Sequence, residues 1–157
     1  MIGRSDQVAE IVCKNPDLFP ELIAGMWSDD PLVRMRAADA TEKVTRCRYE
    51  LLRPFKKRLL DLMAEASEQE LRWHLAAMVP RLVLTAKERL RATSLLNRYL
   101  GDRSSIVKTF ALQGLYDLAR DDPSLQRKVR KILREAIRNG TAAMKARSRK
   151  LLIGFED

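Results

Sequence analysis

The chain has one histidine, His74, set beside Trp73 in the run QELRWHLAAMVPRL, with Pro80 six residues further on. Imidazole is the side chain that changes charge near neutral pH, so a lone histidine beside an aromatic ring is the first place to look for acid–base chemistry. Such chemistry needs companions. With one His and no His/Cys cluster, a zinc site of the usual kind is excluded. The motifs G-x-x-x-x-G-K-[ST], G-x-G-x-x-G and G-x-S-x-G are absent, so phosphate-loop and nucleophile-elbow chemistry lacks its scaffold. The carboxylate pairs Asp29/Asp30 and Asp121/Asp122 each stand directly before a proline, where helix capping accounts for them. Cys13 and Cys47 lie 34 residues apart without a CxxC pattern and read as free thiols of a reducing compartment. A structural account of the histidine run is equally available. The tryptophan packs between helices, the histidine satisfies a local hydrogen bond, and Pro80 bends or ends the helix by removing the bond to the Ala76 carbonyl. The expectation is a non-enzymatic chain that needs no cofactor.

At 157 residues, with 46% hydrophobic and 32% charged residues, the chain suits one compact domain or a short repeat array. Its longest apolar runs fall far short of the roughly 20 residues that span a membrane. The start, MIGRSDQVAE, lacks the apolar stretch of a signal peptide, which places the protein in the cytoplasm. The net charge of +9 is local. Residues 123–150 hold ten Lys/Arg and one acid, Glu135, and the remaining residues sum to zero. A local basic patch points to an acidic protein, a nucleic acid or another anionic surface.

The elements that position these residues are helical. Asn15-Pro16, Asp30-Pro31 and Asp122-Pro123 read as cap–proline starts, and Ser67-x-x-Glu70 and Thr85-x-x-Glu88 as capping boxes. Gly101 and Gly140 mark stops. The apolar spacing between these marks is helical, and about nine helices are expected, near 6–14, 16–27, 31–47, 51–65, 68–83, 86–100, 104–120, 123–139 and 142–154. Four segments then superimpose without gaps: LVRMRAADATEKV from Leu32, LRWHLAAMVPRLV from Leu71, IVKTFALQGLYDL from Ile106 and AMKARSRKLLIGF from Ala143. Each has a small sixth residue (Ala37, Ala76, Ala111, Ser148) and an apolar thirteenth (Val44, Val83, Leu118, Phe155). Spacings of 39, 35 and 37 residues fit a repeated two-helix unit.

The segment DDPLVRMRAADA resembles the second helix of a HEAT repeat, with its acidic turn, Val-Arg and paired alanines. RWHLAAMVPRL and SSIVKTFALQGL are similar to segments of small bacterial HEAT-repeat proteins. The resemblance implies an all-α, ARM-like fold, a right-handed α/α superhelix of about four helical pairs (16–47, 51–83, 86–120, 123–154) after a short N-terminal helix. It carries over no catalytic residue. It also implies that the second helices line a concave binding face. On that face the segments would stack Arg34, Trp73, Lys108 and Lys145 at their third place, with His74, Met78, Gln113, Arg81 and Tyr116 around them.

The expected function is a scaffold or adaptor holding a protein segment in this groove, with Trp73, Tyr116, Met78 and Arg81 as anchors. The alternative is nucleic-acid binding, mainly to phosphates, through Arg127, Lys128, Arg130, Lys131, Arg134, Lys145, Arg147, Arg149 and Lys150. A solvated cap on the last repeat explains the same cations. A remoter alternative is a HEAT-like DNA glycosylase, using Trp73, Asp39 and the basic ridge.

Overall fold

The structure, a computed structural model, describes residues 4–156. Every regular element among the described residues is helical, and none is a strand. Two compact units divide the chain, Met1–Val83 and Leu84–Asp157.

The first unit contains α1 (Arg4–Lys14), α2 (Phe19–Ala24), α3 (Pro31–Thr45), α4 (Lys56–Glu65) and α5 (Gln69–Met78). Prolines decide where these helices are interrupted. Residues 16–27, expected as one helix, form α2 flanked by the 3-10 turns Pro16–Leu18 and Gly25–Trp27. Pro54 lies inside the 3-10 stretch Tyr49–Phe55, so the α-helix begins only at Lys56. Pro80 has the same effect at the other end of its helix. It cannot donate to Ala76, so α5 stops at Met78 and Val79–Arg81 turns as 3-10. Val83, the apolar residue at the thirteenth place of its segment, is consequently 81% exposed. Helix α3 is the hub of the unit, packed on α1, α2 and α5. Its face holds Ala37, Ala40 and Val44, with Phe19, Ile23, Met26, Leu75 and Met78 in the same unit's core. Close approach is built in at Gly25, where an added Cβ would lie 2.7 Å from the Cβ of Ala37.

The second unit contains α6 (Ala86–Tyr99), α7 (Ser105–Ala119), α8 (Pro123–Asn139) and α9 (Ala142–Gly154). Helix α7 is its hub, packed on α6, α8 and α9, and α8 also packs on α9. Leu96, Tyr99, Val107, Leu112, Leu115, Val129 and Leu133 fill the core. The small residue at the sixth place is buried in all four aligned segments: Ala37, Ala76, Ala111 and Ser148.

The caps are mostly as expected. Asp30 accepts from the Leu32 N–H at 2.8 Å, Thr85 from Glu88 at 3.2 Å and Asp122 from Leu125 at 3.1 Å. Ser104 and Thr141 cap α7 and α9 in the same way. Two expected caps do not form. Asn15 makes no side-chain cap bond, and the residue before the first turn of α5 is Glu68 instead of Ser67, again without a side-chain cap bond. The Glu70 carboxylate that should complete the Ser67 box instead accepts the Trp73 Nε1–H at 2.9 Å. Removing a working cap should be measurable. Asp122→Ala is expected to lower the stability of the second unit by about 1 kcal/mol in urea unfolding, against no more than a few tenths for Asn15→Ala.

Candidate functional site

Most of the residues expected in the groove are engaged inside the first unit. Met78 is fully buried and belongs to the core, out of a partner's reach. Arg34 donates Nε to the Glu68 carboxylate at 2.8 Å and Nη1 to the Ser28 carbonyl at 2.6 Å, clamping α3 to the start of α5. Arg81 donates Nη1 to the Glu42 carbonyl at 2.7 Å and to Thr45 Oγ1 at 2.9 Å, and Nη2 to Glu42 Oε1 at 2.8 Å. It is therefore an internal tie between the end of α5 and α3. The half-buried Trp73 stacks on His74 with ring centroids 3.5 Å apart.

His74 answers the question of its chemistry by its surroundings. The residue is 1% exposed. Its Nδ1 lies 2.5 Å from the Glu70 carbonyl, which can only accept, so Nδ1 carries the proton. Its Nε2 lies 3.5 Å from Asp39 Oδ1. Burial pushes the Asp39 carboxyl up, but hydrogen bonds from Ser5 and Lys43, with the Lys43 charge and then His74, hold it below the usual carboxylate range. The ring is thus bonded within α5, and its buried Nε2 faces Asp39 of α3 with no hydrogen-bond partner among the described residues. Among the described residues no group of three or more His, Cys, Asp or Glu is placed to hold a metal ion.

In the second unit the expected residues divide into bound and free. Gln113 donates to Asp117 at 3.0 Å and accepts from Arg147 at 2.8 Å, and the Arg147 guanidinium lies over the Phe110 ring. Tyr116 packs on Phe155 with centroids 4.5 Å apart, and its hydroxyl fills the space beside Gly154 that a Cβ would need. Arg130 donates to the Phe155 carbonyl at 2.7 Å. These side chains join α7 and α8 to α9 and the residues just after it. Arg127, Lys128, Lys131, Arg134, Arg149 and Lys150 are exposed, and Lys108 and Lys145 are half-exposed. These eight cations have no hydrogen-bond or ion-pair partner among the described residues.

Lys108, Lys131 and Arg134 meet at a cleft of about 820 Å³ within this unit. Its exposed apolar lining comes mainly from Leu100 and Ile132, over the buried Leu112, Ala136 and Met144, and Arg138 adds a fourth cation. The one acid there, Glu135, is occupied. Hydrogen bonds from Arg138 and Asn139 hold its carboxyl below the usual range. Gly140 and Thr141 close one end. There the Thr141 hydroxyl lies 2.7 Å from the Ser105 hydroxyl, linking the first turn of α7 to the cap of α9. A side chain on Gly140 would collide with the Ala136 carbonyl and the Met144 Cβ, so glycine serves here for close approach, with no positive φ.

A smaller cleft of about 410 Å³ in the same unit is lined by Ser124, Arg127, Lys128, Arg130, Lys131 and Arg134, all on α8. Sequence reasoning had the cations of both clefts except Arg138, and it missed Leu100, Ile132, Thr141 and Met144. An apolar residue at the edge of an amphipathic face carries no mark distinguishing it from core. No helix among the described residues is long and apolar enough to cross a membrane. No protein-family model, curated protein or solved structure matches the chain.

Proposed function

We propose that this chain is a non-enzymatic scaffold of HEAT-like helical pairs whose second unit binds an acidic, amphipathic segment of a partner protein. The observation that carries the reading is the cleft in which Lys108, Lys131 and Arg134, unpaired among the described residues, flank the half-exposed Leu100 and Ile132. An apolar surface ringed by cations matches a peptide helix with Leu or Ile on one face and Asp or Glu beside it, since burial supplies affinity and charge supplies orientation. The repeat reading is supported by the buried small residue at the sixth place of each aligned segment. This proposal moves the binding surface from the Trp73 ridge, whose residues are tied internally, to α7, α8 and α9.

A second reading is favoured by a separate observation. Arg127 and Lys128 extend the cation row of α8 beyond the apolar cleft. A nucleic-acid backbone would use this row and have no need of Ile132. The two readings therefore separate by substitution. Fluorescence anisotropy of a labelled acidic amphipathic peptide should show binding that Ile132→Asp weakens at least 30-fold, equivalent to about 2 kcal/mol. Arg127→Glu/Lys128→Glu should change it by less than 3-fold. The reverse pattern with a labelled duplex would establish the phosphate reading. Binding of neither probe by a folded chain would remove both.

A further inference from the structure

Cys13 is the penultimate residue of α1, and Cys47 lies in the turn just beyond α3. The two helices pack together, which brings the ends of a 34-residue interval to one place. Arg48 fastens the junction by donating Nη1 to the Cys13 carbonyl at 3.4 Å and Nε to Glu50 at 2.6 Å. The thiols themselves are neighbours. Burial raises the Cys13 thiol first, and the charge and side-chain hydrogen bonding of Cys47 raise it further, while the Arg48 guanidinium opposes them. Arg48 in turn interacts electrostatically with both cysteines. Cys13 is half-buried and Cys47 is exposed.

We propose that Cys13 and Cys47 are a redox-modification site, a thiol pair that closes to an intramolecular disulfide on exposure to peroxide and reopens under thiol reductants. The geometry provides what this needs. A disulfide requires β-carbons about 4 Å apart and suitably directed side chains. Cys47 is next in sequence to Arg48, whose bond to the Cys13 carbonyl holds the two segments together, and it stands in a turn outside the helix that would otherwise fix its direction. Exposure makes Cys47 the sulfur a peroxide meets, and the half-buried Cys13 behind it is the resolving thiol.

The chemistry balances with hydrogen peroxide as the oxidant. The Cys47 thiolate attacks one peroxide oxygen, the O–O bond breaks, and the departing hydroxide takes a proton to leave as water. Cys47 is then a sulfenic acid. The Cys13 thiolate attacks its sulfur, the S–S bond forms, the S–O bond breaks, and the hydroxyl leaves as a second water after taking up a proton. Two thiols have lost two electrons in all, and one peroxide has become two waters.

The test uses the full chain treated with a small excess of hydrogen peroxide, then denatured and titrated for thiols. The expected result is a fall from two free thiols per chain to none, with a mass loss of about 2 Da, migration as a monomer without reductant, and recovery of both thiols in dithiothreitol. Peptide mapping should join the segments containing Cys13 and Cys47, and the oxidised chain should melt at higher temperature. Dimedone, which traps sulfenic acids, supplies a second reading. Cys13→Ser should give a stable adduct at Cys47 after peroxide, whereas the unsubstituted chain should give little. Equal dimedone labelling of Cys47 in both chains, or bridges found only between two chains, would overturn the proposal. So would two thiols that survive peroxide unchanged.

Discussion

Arg81→Ala is expected to destabilise the first unit by about 3 kcal/mol and to lower its melting temperature by more than about 10 °C. The reason is Glu42, a carboxylate with only 4% of its side chain exposed, whose partners are Arg81 at 22% and Arg46 at 61% exposure. Burial raises the Glu42 carboxyl, but hydrogen bonds from Arg46 and Arg81, reinforced by their charges, bring it below the usual range. Removing Arg81 takes away the better-buried cation, along with the donor to the Glu42 carbonyl and Thr45. The same carboxylate provides a control. Arg46→Ala removes a largely solvated partner and should change stability by less than about 1 kcal/mol.

The pH dependence has a definite sign. A carboxyl whose folded pKa is depressed adds stability above its unfolded value and loses that contribution as pH falls through the folded value. The deficit of Arg81→Ala relative to the unsubstituted chain should therefore be full at neutral pH and shrink on acidification. Arg81→Met/Glu42→Met, which removes both charges, should be more stable than Arg81→Ala alone. Urea unfolding across pH 4–8 checks these relations together. An Arg81→Ala deficit under 1 kcal/mol at neutral pH would mean that Glu42 is adequately held without it.

The second large effect concerns the sixth place of the repeat. Ala111 is fully buried where α7 meets its neighbours, and Ala111→Leu adds three carbons with no room to receive them. Overpacking of this kind costs about 3 kcal/mol at its upper range and should show as a lower urea midpoint. Ala146 is also on a helix of the second unit but is exposed, so Ala146→Leu should stay within about 0.5 kcal/mol of the original chain. Equal effects at the two positions would remove the close-packing explanation for the small-residue repeat.

The burial of the small residue at the sixth place of each aligned segment was legible because packing restricts residue type there. A small side chain at one place in each of four helices is a direct imprint of close helix approach. The starts of α3, α6 and α8 were legible because Asp30, Thr85 and Asp122 accept a first-turn N–H, whereas the same patterns at Asn15 and Ser67 make no cap. Partner choice was not legible. Arg81 and Glu42 stand at the same eleventh place of consecutive aligned segments, and they bond to each other directly. Arg81 was expected as a groove anchor, and Glu42 carried no mark that set it apart from other charges. Trp73 and Tyr116 had the composition of anchors, but their half-burial depends on Glu70 and Phe155, whose positions relative to them are set by three-dimensional packing.

The division of charge follows the division of the fold. Met1–Val83 holds equal numbers of cations and anions, and the whole excess of +9 lies in Leu84–Asp157. Like charges along α8 repel one another in the folded unit, and that repulsion is relaxed by dissolved ions within a Debye length of about 8 Å at physiological ionic strength. Added electrolyte thus acts on this face in two opposing ways: it makes the helix easier to keep folded, and it weakens the pull on any anionic partner. The first unit carries no such excess, so ionic strength acts on the second unit far more than on the one that carries the buried Glu42 tie.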